Sequence, residues 1–162
     1  MKSTRFITKA AIIAAIYVII TEVSTLMGLS NGVIQVRFSE ALTVLPLFTP
    51  AAIPGLFIGC MISNLLAGGA LLDIVFGSLA TLIGAVGTYV FRKKSIYLAP
   101  VFPILANMLI IPWVLKLVYG FEGTVLYFTV TVFAGEFISC ALFGIPFAML
   151  LKKRKELADL LR

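Results

Sequence analysis

The sequence predicts an all-α, polytopic membrane protein with six transmembrane helices, forming one integral membrane domain over residues 1–162. Three observations lead to this fold class. The chain is 61% hydrophobic and only 12% charged, its mean hydropathy is +1.13, and its apolar residues fall into six runs. Because soluble domains are about 45–50% apolar, this composition belongs to a protein whose surface faces lipid.

The spans follow from the lengths of the apolar runs, since about 20 apolar residues cross a bilayer core as a helix. Gly, Pro or charged residues separate the runs. The predicted spans are residues 6–27, 40–49, 55–67, 72–91, 96–117 and 124–151. The second is short, because Pro46 and Pro50 limit it.

The stretch between the first two spans has a different period. Apolar and polar residues alternate over residues 33–38, which predicts an extended segment lying over the mouth of the bundle. Ser39 is expected to cap the helix that follows, and Glu40 lies in its first turn, where a carboxylate suits the helix dipole.

Basic residues predict the orientation. Cationic loops resist translocation, so clusters of Lys and Arg mark the cytoplasmic side. With both termini cytoplasmic, 11 of the 13 basic residues lie inside, and only Arg37 and Lys116 lie outside. The inner clusters are Lys2, Arg5 and Lys9; Arg92, Lys93 and Lys94; and Lys152, Lys153, Arg154, Lys155 and Arg162. The expected location is the cell membrane.

Several classes of function are excluded or disfavoured by the residues that are missing. The clustered charge offers no basic face with interleaved aromatics for nucleic acid. The chain contains no His, no phosphate-binding Gly-rich loop and no metal-ligand spacing, and Cys60 and Cys140 lie in apolar runs as packing residues. We therefore predict no enzyme activity, catalytic residue, cofactor or metal.

Polar residues within the apolar runs are the candidate binding site. A charge inside a bilayer costs roughly 2.5–3.5 kcal/mol on insertion scales, so such residues usually face the bundle interior and mark a ligand path. The candidates are Glu22, Arg37, Glu40, Asn64, Asp73, Asn107, Trp113 and Glu136. Carboxylates with one Arg, two amides and a Trp predict a pocket for a small, flat, polar and cationic molecule.

Structural alternatives stay open for most of these residues. Glu22 and Asp73 can lie in interfacial water, Arg37 and Glu40 can pair with each other, and Asn64 and Asn107 can tie helices together. Small residues at four-residue spacing allow close helix approach. We expect Gly55 and Gly59 to pack internally, whereas Ala10, Ala11, Ala14 and Ala15 are candidates for docking a partner or for internal packing.

Three stretches resemble a known family. Residues 34–46 (IQVRFSEALTVLP), 48–59 (FTPAAIPGLFIG) and 72–82 (LDIVFGSLATL) closely resemble the QueT family of substrate-binding (S) components of energy-coupling factor (ECF) transporters. The resemblance covers essentially the whole chain.

The resemblance implies a six-helix S-component bundle with a queuosine precursor as substrate, 7-aminomethyl-7-deazaguanine or queuine. It also implies that the Ala motif docks on a transmembrane coupling subunit driven by two cytoplasmic ATPases. Substrate would bind under the first outer loop, residues 30–38. We expect Glu40 and Glu136 to read the base, with Arg37 holding the loop or Glu40 in place.

Two other functions remain as alternatives. One is an S component for another vitamin-like solute, such as a pyrimidine, thiamin-like or amino-alkyl compound. The other is a membrane assembly subunit that binds no small molecule. An intramembrane enzyme is less favoured, because the chain lacks His and an activated nucleophile.

Overall fold

The computed structural model describes residues 2–30 and 34–154, and all the regular secondary structure there is helical, without a strand. Val33, Lys155 and Arg162, which entered the loop and charge predictions, lie outside these residues, as does the side chain of Lys2. The α-helices are α1 (Lys2–Leu26), α2 (Ala52–Leu66), α3 (Leu71–Val90), α4 (Val101–Leu117), α5 (Val125–Glu136) and α6 (Gly144–Lys153). A 3-10 helix (Phe38–Leu47) lies between α1 and α2, a 3-10 turn (Ile96–Leu98) precedes α4, and a π segment (Phe137–Phe143) joins α5 to α6.

Four helical runs are long and apolar enough to cross a bilayer. They are Ser3–Leu26, Leu71–Val90, Ile96–Leu117 and Val125–Lys153. The predicted spans 40–49 and 55–67 are also helical, but these helices have only 10 and 15 residues. At their respective rises they extend about 20 and 22 Å, short of a core of about 30 Å. That these two also span the bilayer stays a prediction.

The 3-10 helix lies at the centre of the bundle. Its backbone packs against α1, α2, α3, α6 and the π segment, and seven of its ten residues are buried. Its winding differs from the predicted α-helix for local reasons: Pro46 has no N–H to donate, and the Thr43 hydroxyl bonds the carbonyl of Glu40, three residues earlier, at 2.6 Å.

The predicted cap at Ser39 is wrong. The helix begins after Arg37, and no side chain caps it. The Ser39 hydroxyl accepts a hydrogen bond from Thr21 of α1 at 2.7 Å instead, because burial against α1 gives it a partner there. Residues 35–37 have no regular secondary structure, and Arg37 is extended, with φ −112° and ψ 109°. Phe38, which the prediction placed in the extended segment, is already part of the 3-10 helix.

Helices α1 and α2 pack closely through the two glycines expected to do so. A Cβ on Gly55 would lie 2.8 Å from the Ala10 carbonyl oxygen, and one on Gly59 would lie 2.8 Å from Tyr17 Cβ. Ala10 and Ala14 are buried in this contact. Of the four alanines that were candidates for docking a partner, only Ala11 and Ala15 are therefore exposed.

Replacing Gly59 with Val is expected to destabilise the bundle. The added side chain would push against Tyr17 and the Ala14 carbonyl oxygen, and overpacking of this kind costs about 1–3 kcal/mol of unfolding free energy. Thermal unfolding in detergent can be followed with a thiol-reactive dye, because Cys60 and Cys140 are both buried. Ile58→Phe, on the exposed face of the same helix, is the matched control. An unchanged midpoint for Gly59→Val would contradict this close packing.

Candidate functional site

A cavity of about 260 Å³ opens at the end of the bundle opposite the basic clusters of residues 92–94 and 152–154. Its walls come from α2, α3, α4 and α5, and residues 35–40 cross its side. On α4, Asn107, Ile111 and Leu115 line it at four-residue intervals. Eight residues of α-helix rise about 12 Å, so the cavity has a floor near Asn107 and a rim near Leu115.

Glu40 lines the floor of the cavity and is only 3% exposed, less than the other charged residues that line it. Its carboxylate Oε1 accepts a hydrogen bond from the hydroxyl of the fully buried Tyr17. Its Oε2 has no partner among the described residues. Because an unsatisfied buried acceptor costs about 1–3 kcal/mol, this oxygen is placed to receive a donor from a ligand.

Asn107 supplies a complementary group, a buried hydrogen-bond donor. It is 5% exposed and lines the same cavity near Glu136, and its Nδ2 makes no hydrogen bond of ordinary geometry to a described residue. Ser30 Oγ, at the cavity edge, is likewise unpartnered. Buried polar groups are hydrogen-bonded to protein or water in the great majority of cases, so this donor and this acceptor are available to a polar ligand in the cavity.

Glu136 also lines the cavity, at the junction of α5 and the π segment. Its Oε2 accepts from the Cys140 thiol at 3.2 Å. Glu40, Glu136 and Cys140 each place one ligand atom within 4.8 Å of the others, which is the set that could hold a metal ion. Cys140 is thus more than a packing residue, because it orients a cavity carboxylate.

Arg37 ties the extended segment to the cavity wall. Its guanidinium donates to Asn64 Oδ1 on α2 at 2.9 Å and to Gln35 Oε1 at 3.1 Å, and its backbone N–H donates to Ser139 Oγ at 3.2 Å. The Arg37 guanidinium thus bonds two side-chain amides, and the Glu40 carboxylate bonds the Tyr17 hydroxyl. The predicted pairing of Arg37 with Glu40 by a direct hydrogen bond is not found among the described residues. Arg37 therefore places a positive charge beside the cavity while fixing the segment that crosses it.

The rim carries a third carboxylate. Asp73, in the first turn of α3, accepts a hydrogen bond from the Tyr119 hydroxyl at 2.7 Å, and Tyr119 OH itself accepts from the Ala70 N–H at 3.2 Å. Partial burial and the bond to Asp73 raise the pKa of Tyr119 above its usual value, which keeps the hydroxyl protonated. Phe121 stacks on Tyr119 with ring centroids 5.8 Å apart, and both line the cavity.

Comparison with known proteins gives the family. The sequence model of the QueT transporter family matches residues 7–153, which is nearly the whole chain. This chain belongs to the QueT transporter family. It is accordingly a multi-pass membrane protein, in agreement with its four long apolar helices.

One relative is informative. The queuosine precursor transporter QueT of Lactococcus lactis subsp. cremoris (strain MG1363) is 44% identical to this chain over 73 residues. The match covers 45% of this chain and 43% of the relative. No solved structure matches the chain. All the cavity residues lie within the range that the QueT family model matches.

Six of the eight predicted binding residues of this QueT family member line the cavity: Arg37, Glu40, Asn64, Asp73, Asn107 and Glu136. Two do not. Trp113 is 53% exposed on α4, and Glu22, on α1, is not among the cavity-lining residues, although its Oε1 is buried without a partner among the described residues. The indole is instead placed to meet the lipid interface, where Trp is enriched.

Sequence reasoning missed Tyr17, Ser30, Gln35, Tyr119 and Phe121 as residues of the site. One signal was available for Tyr17: with Thr21 and Ser24 it forms a polar stripe at helical spacing on an otherwise apolar span. All three are buried, and the stripe faces the 3-10 helix, where Thr21 bonds Ser39 and Ser24 Oγ accepts from the Phe38 N–H at 3.0 Å. The aromatic pair follows α4 in a short loop, and nothing in its pattern points to a cavity.

Proposed function

We propose that this chain is the substrate-binding S component of an ECF-type importer and that it captures a queuosine precursor, 7-aminomethyl-7-deazaguanine or queuine, from outside the cell. The observation that carries the proposal is the pair of unpartnered buried groups in the cavity, the acceptor Glu40 Oε2 and the donor Asn107 Nδ2. The Lactococcus relative, a queuosine precursor transporter, supports the same substrate class.

The chemistry of a deazaguanine complements this cavity floor. Its N1–H and 2-amino group form a donor edge, and a carboxylate accepts two parallel donors. Its 6-oxo group is an acceptor and can take the Asn107 N–H. In this proposal Glu40 and Glu136 read the base, and Arg37 holds residues 35–37 across the bound ligand through Asn64 and Gln35.

Energy for uptake would come from partners. The chain has no phosphate-binding Gly-rich loop, so we assign ATP hydrolysis to two cytoplasmic ATPases acting through a transmembrane coupling subunit. Ala11 and Ala15 are the exposed small residues available for docking that subunit, whereas Ala10 and Ala14 are covered by α2. Both termini are cytoplasmic in this proposal, which places the cavity mouth outside the cell.

Equilibrium titration tests the substrate directly. The purified chain in detergent is titrated with 7-aminomethyl-7-deazaguanine, with guanine and thiamin as controls. We expect tight binding of the deazaguanine and much weaker binding of both controls. Tighter binding of thiamin or another vitamin-like solute would reassign the substrate. A chain that binds none of these compounds would contradict the proposed substrate and favour a ligand-free assembly role.

A further inference from the structure

The cavity has carboxyl groups at two separate positions, one at each end. Glu40 and Glu136 lie at the floor, where Thr81 of α3 also faces the cavity. Asp73 lies eight residues before Thr81 on the same helix, which is about 12 Å nearer the rim. Arg37 and Asn64, joined by their 2.9 Å hydrogen bond, line the cavity as well. A ligand that satisfies Glu40 can therefore reach Asp73 only with its opposite end.

Asp73 is held with one oxygen available. Its Oδ2 accepts from Tyr119 OH, whose orientation is fixed because that oxygen accepts from the Ala70 N–H. No hydrogen bond to Oδ1 joins it to another described residue. Asp73 lines the cavity near its rim, where its carboxylate can pair with a positive group of a ligand.

We infer that Asp73 is the site of a ligand's exocyclic ammonium group, while Glu40 holds the donor edge of the base. This inference rests on the proposed function and specifies which carboxylate binds which end of the ligand. In a 7-aminomethyl-deazaguanine the amine projects from the pyrrole ring, away from the N1–H and 2-amino edge. With that edge on the floor, the amine extends toward the rim and Asp73.

Glu136 is less suited to this role. It lies at the floor within 4.8 Å of Glu40, and its Oε2 already accepts from Cys140. Asp73, by contrast, lies near the rim beside Gly69, where a Cβ would be 3.4 Å from Asp73 Oδ2, and the neighbouring Gly68 has open space around the position of a Cβ. An amine that carries a further ring, as in queuine, has room to leave the cavity there. The site therefore selects for the amine rather than for a particular substituent on it.

The test compares two ligands on three proteins. 7-Aminomethyl-7-deazaguanine and unsubstituted 7-deazaguanine are titrated into the wild type, Asp73→Asn and Glu122→Gln, the last being a matched change on an exposed loop. The wild type is expected to prefer the aminomethyl compound about 10- to 100-fold, the range for a hydrogen bond to a charged group. Asp73→Asn should lose most of that preference and bind the unsubstituted base within about twofold of the wild type, a change well below one tenfold step. Glu122→Gln should behave as the wild type.

The test distinguishes a failure of this inference from a failure of the proposed function. A wild type that binds both ligands equally, or an Asp73→Asn variant that keeps the preference, overturns the inference and leaves the proposed function intact. Equal losses for both ligands in Asp73→Asn also overturn it, because they indicate a structural role at the rim. A wild type that binds neither ligand overturns the proposed function and this inference together.

Discussion

Replacing Glu40 with Gln is expected to lower the affinity for 7-aminomethyl-7-deazaguanine about hundredfold. Hydrogen bonds to a charged group contribute about 1.5–3 kcal/mol each, and every 1.4 kcal/mol is a factor of ten. Gln keeps one acceptor oxygen, which the Tyr17 hydroxyl engages, so the amide N–H₂ takes the place of the unpartnered Oε2. Two donors of the ligand would then face two donors of the protein. Titration of the purified variant measures the loss.

Two companion variants make this result specific. Glu22→Gln is the same chemical change on α1, outside the cavity lining, and should leave the affinity unchanged. Glu136→Gln should weaken binding, because Glu136 lines the same floor. Both variants should elute from a gel-filtration column as the wild type does, which shows that they are folded. If both then bind the ligand with wild-type affinity, neither carboxylate contacts the ligand.

A single methyl group on Gly135 is expected to disrupt the site from outside the cavity. A Cβ there would lie 2.1 Å from the Gln35 carbonyl oxygen, a contact that only a backbone shift can relieve. In Gly135→Ala, residues 34–37 would move away from α5, and the 3.2 Å bond from the Arg37 N–H to Ser139 would break. We expect affinity to fall at least tenfold and unfolding free energy to fall by about 1–3 kcal/mol, as overpacking typically costs.

Gly144→Ala is the matched control, because it adds the same methyl group to the same continuous helix. Its Cβ would meet Val44 at 3.1 Å and the Ala41 carbonyl oxygen at 3.4 Å, contacts that small shifts can absorb. We expect nearly unchanged ligand affinity for this variant by titration. If Gly135→Ala binds as tightly as Gly144→Ala, the position of residues 34–37 does not matter for binding.

The positions of the helices were largely predictable from the sequence. Four apolar runs gave helices long enough to cross the bilayer, and both shorter runs are helical. Polar residues in these runs were equally informative, because burying them without a role is costly in lipid. Glu40, Asn107 and Glu136 come from three different segments, and all line one cavity.

Helix winding was not predictable, because it is decided by packing rather than by hydrophobic pattern. Membrane helices are apolar toward lipid and apolar toward the core, so their sequences carry little periodicity. The hydrophobic pattern distinguishes neither the 3-10 helix Phe38–Leu47 nor the π segment Phe137–Phe143 from an α-helix. Ala10 illustrates the same limit, since its spacing fits partner docking and internal packing equally, and only the contact with Gly55 distinguishes them.

Trp113 fails as a site residue for a related reason. An indole in an apolar run fits a stacking role in a pocket, but it fits the lipid interface as well. The face of α4 that lines the cavity is set by Asn107, Ile111 and Leu115, and Trp113 falls between the last two, on a different side of the helix. Helical phase, counted from Asn107, would have excluded it.

A structure of the protein with 7-aminomethyl-7-deazaguanine bound tests the central proposal most directly. We predict that the bicyclic base occupies the 260 Å³ cavity, with its N1–H and 2-amino group within hydrogen-bonding distance of Glu40 and its 6-oxo group facing Asn107. A ligand bound elsewhere on the protein, or bound in the cavity with that edge turned away from Glu40, would contradict it.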